Sequence, residues 1–304
     1  MKIDKISKDL LEKIAGLHEI PNGAISFRKN GKSEIIKSSA HIEIEKKIDG
    51  SGINIYVRSS CQNEACHIPV VISENGLFDL VYNDFYIEDG ANVTIIAGCG
   101  VHSTDEGGHD GIHTFHIGKN ANVVYIENHL AMGSGTHKVM NPTTIINMAE
   151  NSSMTMNTTQ LGGVDYSDRK TKVKQGKNST LVVNEKVMTD GFNVAKTDFT
   201  IDLLGENCKC DIASRSVARG ESEQVFKSNL MGKNKCFGHV ECDGILLDDA
   251  RIDSVPKVSA RHRDASLTHE AAIGRIAEDQ ILKLLTLGLN EEQAEEKIIQ
   301  GFLK

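Results

Sequence analysis

Three groups of side chains in this 304-residue chain are of kinds that bind metals or move protons. The segment GCGVHSTDEGGHDGIHTFHIG carries Cys99, His102, Asp105, Glu106, His109, Asp110, His113 and His116, and Glu127, His129 and His137 follow it. Mixed thiol, imidazole and carboxylate donors suit iron or zinc, and Cys99, His113 and His129 are the candidate ligands. The spacing matches neither a zinc finger nor a ferredoxin run, so the segment reads equally well as a polar, Gly-rich loop of solvated histidines. On a strand, His113 and His116 would face opposite sides. The second group is His239, Glu241, Cys242 and Asp243 in GHVECDGILL. Strand alternation puts Glu241 and Asp243 on one face and Val240 and Cys242 on the other, which leaves Cys242 as a ligand or a buried structural thiol. The third is His269-Glu270, where an imidazole beside a carboxylate can ligate iron or relay protons; the plainer reading is a helix-start pair making caps and surface contacts. No GxxxxGK[ST] loop occurs, so no nucleotide is expected on this chain.

Positioning these groups falls to a strand-rich body between two helical ends. Ile6, Leu10, Ile14 and Leu17 share a helical face over residues 4 to 18, ended by Pro21 and Asn22-Gly23. From Ala24 the apolar period becomes two, with Asn-Gly and Asp-Gly turns that predict antiparallel hairpins. After residue 69 a weak repeat appears in IEDGANVTII, IGKNANVVYI, MAENSSMTMN, VKQGKNSTLVV and LLGENCKCDI. Its small residues Ala91, Ala121, Ser152, Ser179 and Cys208 recur about every thirty positions, as stacked β coils require, whereas a β-sandwich of hairpins is the alternative. The end of the chain reads as two short helices. Ile281, Leu284 and Leu285 hold helical spacing, Gly288 stops the first helix, and Asn290 with Gln293 forms a capping box that starts the second near Glu291. The domain reading is 1–68 for the N-terminal helix and hairpins, 69–266 for the coiled core, and 267–304 for the helical end.

Composition narrows the class. Only 5% of residues are aromatic and Trp is absent, so the core must be mostly aliphatic; a net charge of −8 argues against nucleic acid or anionic membrane as a partner. The charged amino terminus MKIDKISKDLLEK is unlike a secretory leader, and no apolar run approaches the roughly 18 residues of a membrane span. The seven cysteines are then expected as reduced thiols in a cytoplasmic protein, most of them buried as small hydrophobes.

In unbroken order, SRSVARGESEQVF, GHVECDGILLDDARIDSVPKV, LTHEAAIGRIAEDQ and GLNEEQAEEKIIQGF resemble the carboxy-terminal core of the SufB/SufD family, the non-ATPase scaffold components of SUF iron–sulfur cluster assembly. The resemblance covers roughly the last third of the chain and leans towards SufB at the Cys242-Asp243 pair. It implies a mainly β fold, a right-handed parallel β-helix with helical ends. It also implies a cytoplasmic, non-enzymatic scaffold that handles an Fe–S cluster, with Cys242, His269 and Glu270 as cluster-site residues. The implied partners are a SufC-like ABC-type ATPase, a second copy or a SufB/SufD-like paralogue, and apo Fe–S recipient proteins. Ile273, Ile276, Ile281, Leu284 and Leu285 are the expected ATPase-docking residues. The chain departs from the SufB pattern at Ala260, where the resemblance expects a functional cysteine. It is short for a SufB, which suggests one scaffold type pairing with itself. A metal-dependent enzyme on a β-solenoid or cupin-like frame, and a SufD-like subunit without a cluster, are the competing readings.

Overall fold

The computed structural model describes residues 4–304. Helix α1 (Lys5–Ala15) is capped by Asp4, whose carboxylate accepts from Ser7 N, and ends at Gly16 in the left-handed conformation, φ 64°. Apolar spacing alone would carry it to residue 18. Gly16 stops it sooner because its left-handed turn returns its N–H to Glu12 O. Leu10, Leu11 and Ile14 are buried, while Ile6 remains 41% exposed.

The two expected hairpins follow. Strands β1 (Ala24–Lys29) and β2 (Lys32–Lys37) pair antiparallel through Asn30-Gly31, both at positive φ. Strands β3 (Ile42–Lys46) and β4 (Gly52–Val57) do the same through a turn containing Gly50. The chain then coils through β5 (Gln62–Ile72), β6 (Leu77–Ile87), β7 (Asn92–His102), β8 (Glu106–Ile117) and β9 (Asn122–Met132). It continues through β10 (His137–Met140), β11 (Thr143–Met148), β12 (Ser153–Leu161), β13 (Tyr166–Gln175), β14 (Thr180–Thr189) and β15 (Val194–Leu203). Strands β16 (Cys208–Ala218), β17 (Glu223–Gly232), β18 (Cys236–Leu246), β19 (Arg251–Ala260) and β20 (Ala265–Gly274) complete it. Helices α2 (Glu278–Thr286) and α3 (Glu291–Phe302) close the chain.

Each coil gives one strand to each of two sheets. Sheet I runs β2-β1-β5-β7-β9-β12-β14-β16-β18-β20, and sheet II runs β19-β17-β15-β13-β10-β8-β6-β4-β3, with β11 following β10 between β8 and β13. Coil stacks on coil with parallel pairing throughout, as between β16 and β18 or β17 and β19. The molecule is thus a β-solenoid of about 8 turns, and the sandwich alternative falls.

The repeat marks the corners. Ala91, Ala121, Ser152 and Ser179 are each at most 1% exposed, and each carbonyl accepts from the residue after its counterpart one coil on. Cys61 extends this column upstream, and Cys208 followed by Cys236 extends it downstream. A larger side chain would push neighbouring coils apart. Beside it Asn120, Asn151, Asn178 and Asn207 hold φ of 55–58° and hydrogen-bond to one another through their amides at 3.2, 2.9 and 3.4 Å. Asparagine tolerates the left-handed region that the corner needs, and its amide ladder ties one turn to the next.

Two boundaries differ from expectation. The Gly-rich stretch around Gly107, Gly108 and Gly111 is strand, not loop, because β8 is paired on both sides by β6 and by β10 and β11. At the far end, residues 265–274 remain strand, paired with β18, so the helical region begins at Glu278 rather than at 267 and His269-Glu270 does not start a helix. The capping box is present as read: Asn290 accepts from Gln293 N at 2.8 Å, and Gln293 accepts from Asn290 N at 3.0 Å.

Candidate functional site

Inward positions of both sheets hold apolar side chains over most of the solenoid, with Phe85 stacked on Phe115 at 4.2 Å. In the middle coils that pattern gives way to charge. Glu127 on β9 and Glu185 on β14 face Arg169 on β13, all three at most 4% exposed. An Arg169 guanidinium N–H donates to Glu127 Oε2, and its Nε lies 3.7 Å from Glu185 Oε1. Glu185 also accepts from Thr197 Oγ1 at 3.1 Å and Ser214 Oγ at 2.8 Å. Burial would raise the pKa of Glu127, but Arg169 and His129 overcome it and hold the carboxyl well below its ordinary value. For Glu185 burial wins over the opposing Arg169 charge and the pKa rises. Tyr125 OH donates to Glu127 Oε1 at 2.9 Å, and His113 Nδ1 lies 2.8 Å from that same hydroxyl. Burial pushes the His113 pKa down to about 4, so its ring is neutral near pH 7.

Cys99, His113 and His129, the metal ligands expected from sequence, come to one place. Together with His109 and Glu127 they bound an internal void of ≈ 20 Å³, room for about one water. Cys99 and His129 are register partners on β7 and β9, and His113 reaches in from sheet II. The break between β10 and β11 at Pro142, a residue with no N–H to give a ladder, borders the same void. Burial, then the Glu127 carboxylate, drives the Cys99 pKa far up, so it is a thiol. Among the described residues, no three His, Cys, Asp or Glu side chains already converge as a metal-binding group. His116 lies on the outer face, stacked on Tyr86 at 5.0 Å.

The second and third groups lie at the carboxy-terminal end of the solenoid. Cys242 points inward and is fully buried, as strand alternation predicts, while Glu241 and Asp243 face outward. Burial raises its pKa to about 11. His269 occupies the next inward position of the last coil, stacked on Val240, and burial lowers its pKa. Glu270 points the other way, beside Glu241. So Cys242 and His269 share the interior, and Glu270 does not join them. Ser254 Oγ and His269 Nδ1 are buried without hydrogen-bond partners among the described residues. Among the described residues nothing stacks beyond this coil: β19 and β20 are the terminal strands of their sheets. Val258, in the interior position above fully buried Leu230, is 46% exposed. Ala260 ends β19 in an exposed position.

Of the expected docking residues, Ile273 lies on β20 rather than a helix, and Ile276 packs with Ile299, Val217 and Ile245 under α3. Arg219 ties α3 down through Glu295 at 3.0 Å. Helix α2, which carries Ile281, Leu284 and Leu285, buries no residue and shows Leu282 at 62% exposure. A cleft of ≈ 690 Å³ separates it from Leu246 and Leu247 of the last coils. No described helix is long and apolar enough to cross a membrane.

Arg169, Glu185, Tyr125 and Asp79 were not singled out from the sequence. The signal that could have found Arg169 is parity: in SDRKTKV it alternates with Ser167, Thr171 and Val173, all inward.

The SUF system FeS cluster assembly, SufBD core domain family matches residues 75–302. An iron-sulfur cluster assembly SufBD family protein of Archaeoglobus fulgidus is 29% identical over 270 residues, 86% of this chain and 71% of that one. Its counterpart in Methanocaldococcus jannaschii is 25% identical over 319 aligned positions, covering 100% of this chain and 99% of that one. With a two-sheet solenoid, helical ends and a matching core over most of its length, the chain belongs to the SufBD family of iron–sulfur cluster assembly.

Proposed function

We propose that this chain is a scaffold, not an enzyme, in iron–sulfur cluster assembly. It docks an ABC-type ATPase on its carboxy-terminal helices, joins a second copy or a SufB/SufD-like paralogue at the open end of the solenoid, and builds or passes a cluster there to apo recipient proteins. The cluster is cargo. The observation that carries the proposal is the unfinished last coil: two long edge strands, an interior column laid bare at Val258, and orphaned polar atoms beside a buried thiol. Unpaired edges of this kind are templates for another chain. One chain brings one thiol, Cys242, and one imidazole, His269, so two chains joined end to end would supply two of each, donors soft enough for iron and sulfide. Support for ATPase docking is α2, amphipathic and without a buried side chain, standing over its cleft. A cytoplasmic location fits this role.

Anaerobic co-expression with the ABC-type ATPase tests the proposal. The complex is expected to co-purify with iron and acid-labile sulfide. Cys242→Ser and His269→Ala should lower cluster yield, and Leu282→Glu with Leu285→Glu should release the ATPase. Cluster yield unchanged in both Cys242→Ser and His269→Ala would favour the SufD-like reading, and absence of any ATPase contact would overturn the scaffold.

A further inference from the structure

Proton positions decide which nitrogens around the internal void are free. Tyr125 OH donates to Glu127, so it must accept from His113 Nδ1; the His113 lone pair is then on Nε2, where it accepts from the neutral Asn83 amide at 3.3 Å, a bond that an incoming ion must displace. His109 Nδ1 lies 3.4 Å from Asp79 Oδ2, close but outside aligned hydrogen-bond geometry. Asp79 is gripped by Arg28 at 2.6 and 2.7 Å, which keeps it ionised against its burial. Facing that carboxylate, Nδ1 carries the His109 proton and Nε2 the lone pair. Both Nε2 atoms turn to one empty point: a Cβ placed on Gly111 would stand 3.2 Å from His113 Nε2 and 3.5 Å from His109 Nε2. His129 differs. Its Nδ1 accepts at 3.3 Å from the charged Arg169 guanidinium, which Glu127 and Glu185 hold in place, and Glu127 Oε1 faces its Nε2 at 3.5 Å.

We propose that His109, His113 and Cys99 form a mononuclear site for a late first-row divalent ion, of the Zn²⁺ or Fe²⁺ class, inside the solenoid with Gly111 as its floor. Each imidazole is backed by a carboxylate, Asp79 directly and Glu127 through Tyr125, the arrangement that fixes tautomer and ring orientation in metal-binding histidines. Cys99 is the soft donor on the same void. The ligands are poised rather than closed: the imidazoles must each move in by a little over about 1 Å to reach a metal–nitrogen distance of ~2.0–2.1 Å. The void admits one particle of that size. On binding, the Cys99 thiol gives up its proton, and the two carboxylates Glu127 and Glu185, set against the single guanidinium of Arg169, offset the added charge. The site does not rest on the scaffold reading, since Cys242 and His269 take no part in it.

Cobalt(II) is the probe, added while the full chain refolds because the void is enclosed, with excess then removed. One Co²⁺ per chain is expected, with tetrahedral absorption and a thiolate-to-cobalt charge-transfer band. His109→Gln and His113→Gln should each weaken binding at least about tenfold, and Tyr125→Phe by ~10–100-fold through the lost backing. Cys99→Ser should keep the ion and lose the charge-transfer band, whereas His129→Gln should bind within about threefold of the parent. No retained cobalt, or retention undiminished in the double variant His109→Gln/His113→Gln, would overturn the site. Circular dichroism identifies variants that fail to fold; for those, the parent stoichiometry and the charge-transfer band measured against Cys99→Ser decide.

Discussion

The middle coils and the last coil both place polar side chains inside the solenoid, and they treat them oppositely. In the middle, Glu127, Arg169 and Glu185 bind one another with coils stacked on both sides, although Thr158 Oγ1, Thr171 Oγ1, Gln175 Oε1 and His109 Nδ1 there lack partners among the described residues. In the last coil, His269 Nδ1 and Ser254 Oγ have no partner, and the coil has a neighbour on one side only, among the described residues. The amino-terminal end adds a contrast: its edge strands β2 and β3 are 6 and 5 residues long and carry Lys32, Glu34, Lys37, Glu43, Glu45 and Lys46. Short, charged edges discourage further pairing, while β19 and β20, 10 residues each, offer longer edges, with Pro256 and Lys257 the interruptions on β19. Interior polarity therefore stabilises a self-contained middle and leaves a surface for another chain at one end.

The most forceful way to break this comparison is Arg169→Met. It strands two carboxylates in the interior and is expected to cost ~3–5 kcal/mol in urea unfolding, with the triple change Glu127→Leu/Arg169→Met/Glu185→Leu near neutral or stabilising. A single variant losing under about 1 kcal/mol would mean that water already enters the middle coils.

Next in size is the acid response. His113 has its folded pKa depressed from 6.5 to about 4, so the unfolded chain takes up its proton first as pH falls. Its contribution is whole above pH 6.5 and declines between 6.5 and about 4, by about 3 kcal/mol over that window. Glu127, whose folded pKa is also lowered, adds a loss below the ordinary carboxylate range. His113→Gln should flatten the first part of the stability profile and leave the second. An unchanged profile would show that the imidazole is solvated.

How much of this contrast the amino-acid sequence discloses follows from what repeats. Corners are legible because the same physical demand recurs in each coil, so Ala91, Ala121, Ser152 and Ser179 announce the period and the stacked fold with it. Cys242 inward and His116 outward follow from alternation alone. The network at Arg169 has no such signature, because it reaches to Glu127 and His129, 42 and 40 positions away, and to Glu185 on the next strand, and their meeting depends on which coils face each other across the two sheets. The end of the coiled region was misplaced because β20 carries LTHEAAIG, whose Ala-rich stretch has no strand bias, and is held in place by pairing with β18. The pairing of His109 with His113 is hidden for the same kind of reason: the convergence of their rings depends on the glycine between them, which in sequence reads as part of a Gly-rich loop.

The smallest change in stability is expected at the open end, and it sharpens the comparison most. Val258 sits in an interior column yet is 46% exposed, so Val258→Lys removes little burial and should alter monomer stability by no more than about 0.5 kcal/mol. The charge would nevertheless stand on the face that a second chain must cover, where an unpaired, desolvated ammonium is costly. Sedimentation of the parent should show a dimer that Val258→Lys converts to monomer, while Glu45→Lys on β3 leaves the dimer intact. A dimer that tolerates Val258→Lys but separates on Glu45→Lys would reverse the roles of the two ends, because the short hairpin edges would then be the ones built to pair.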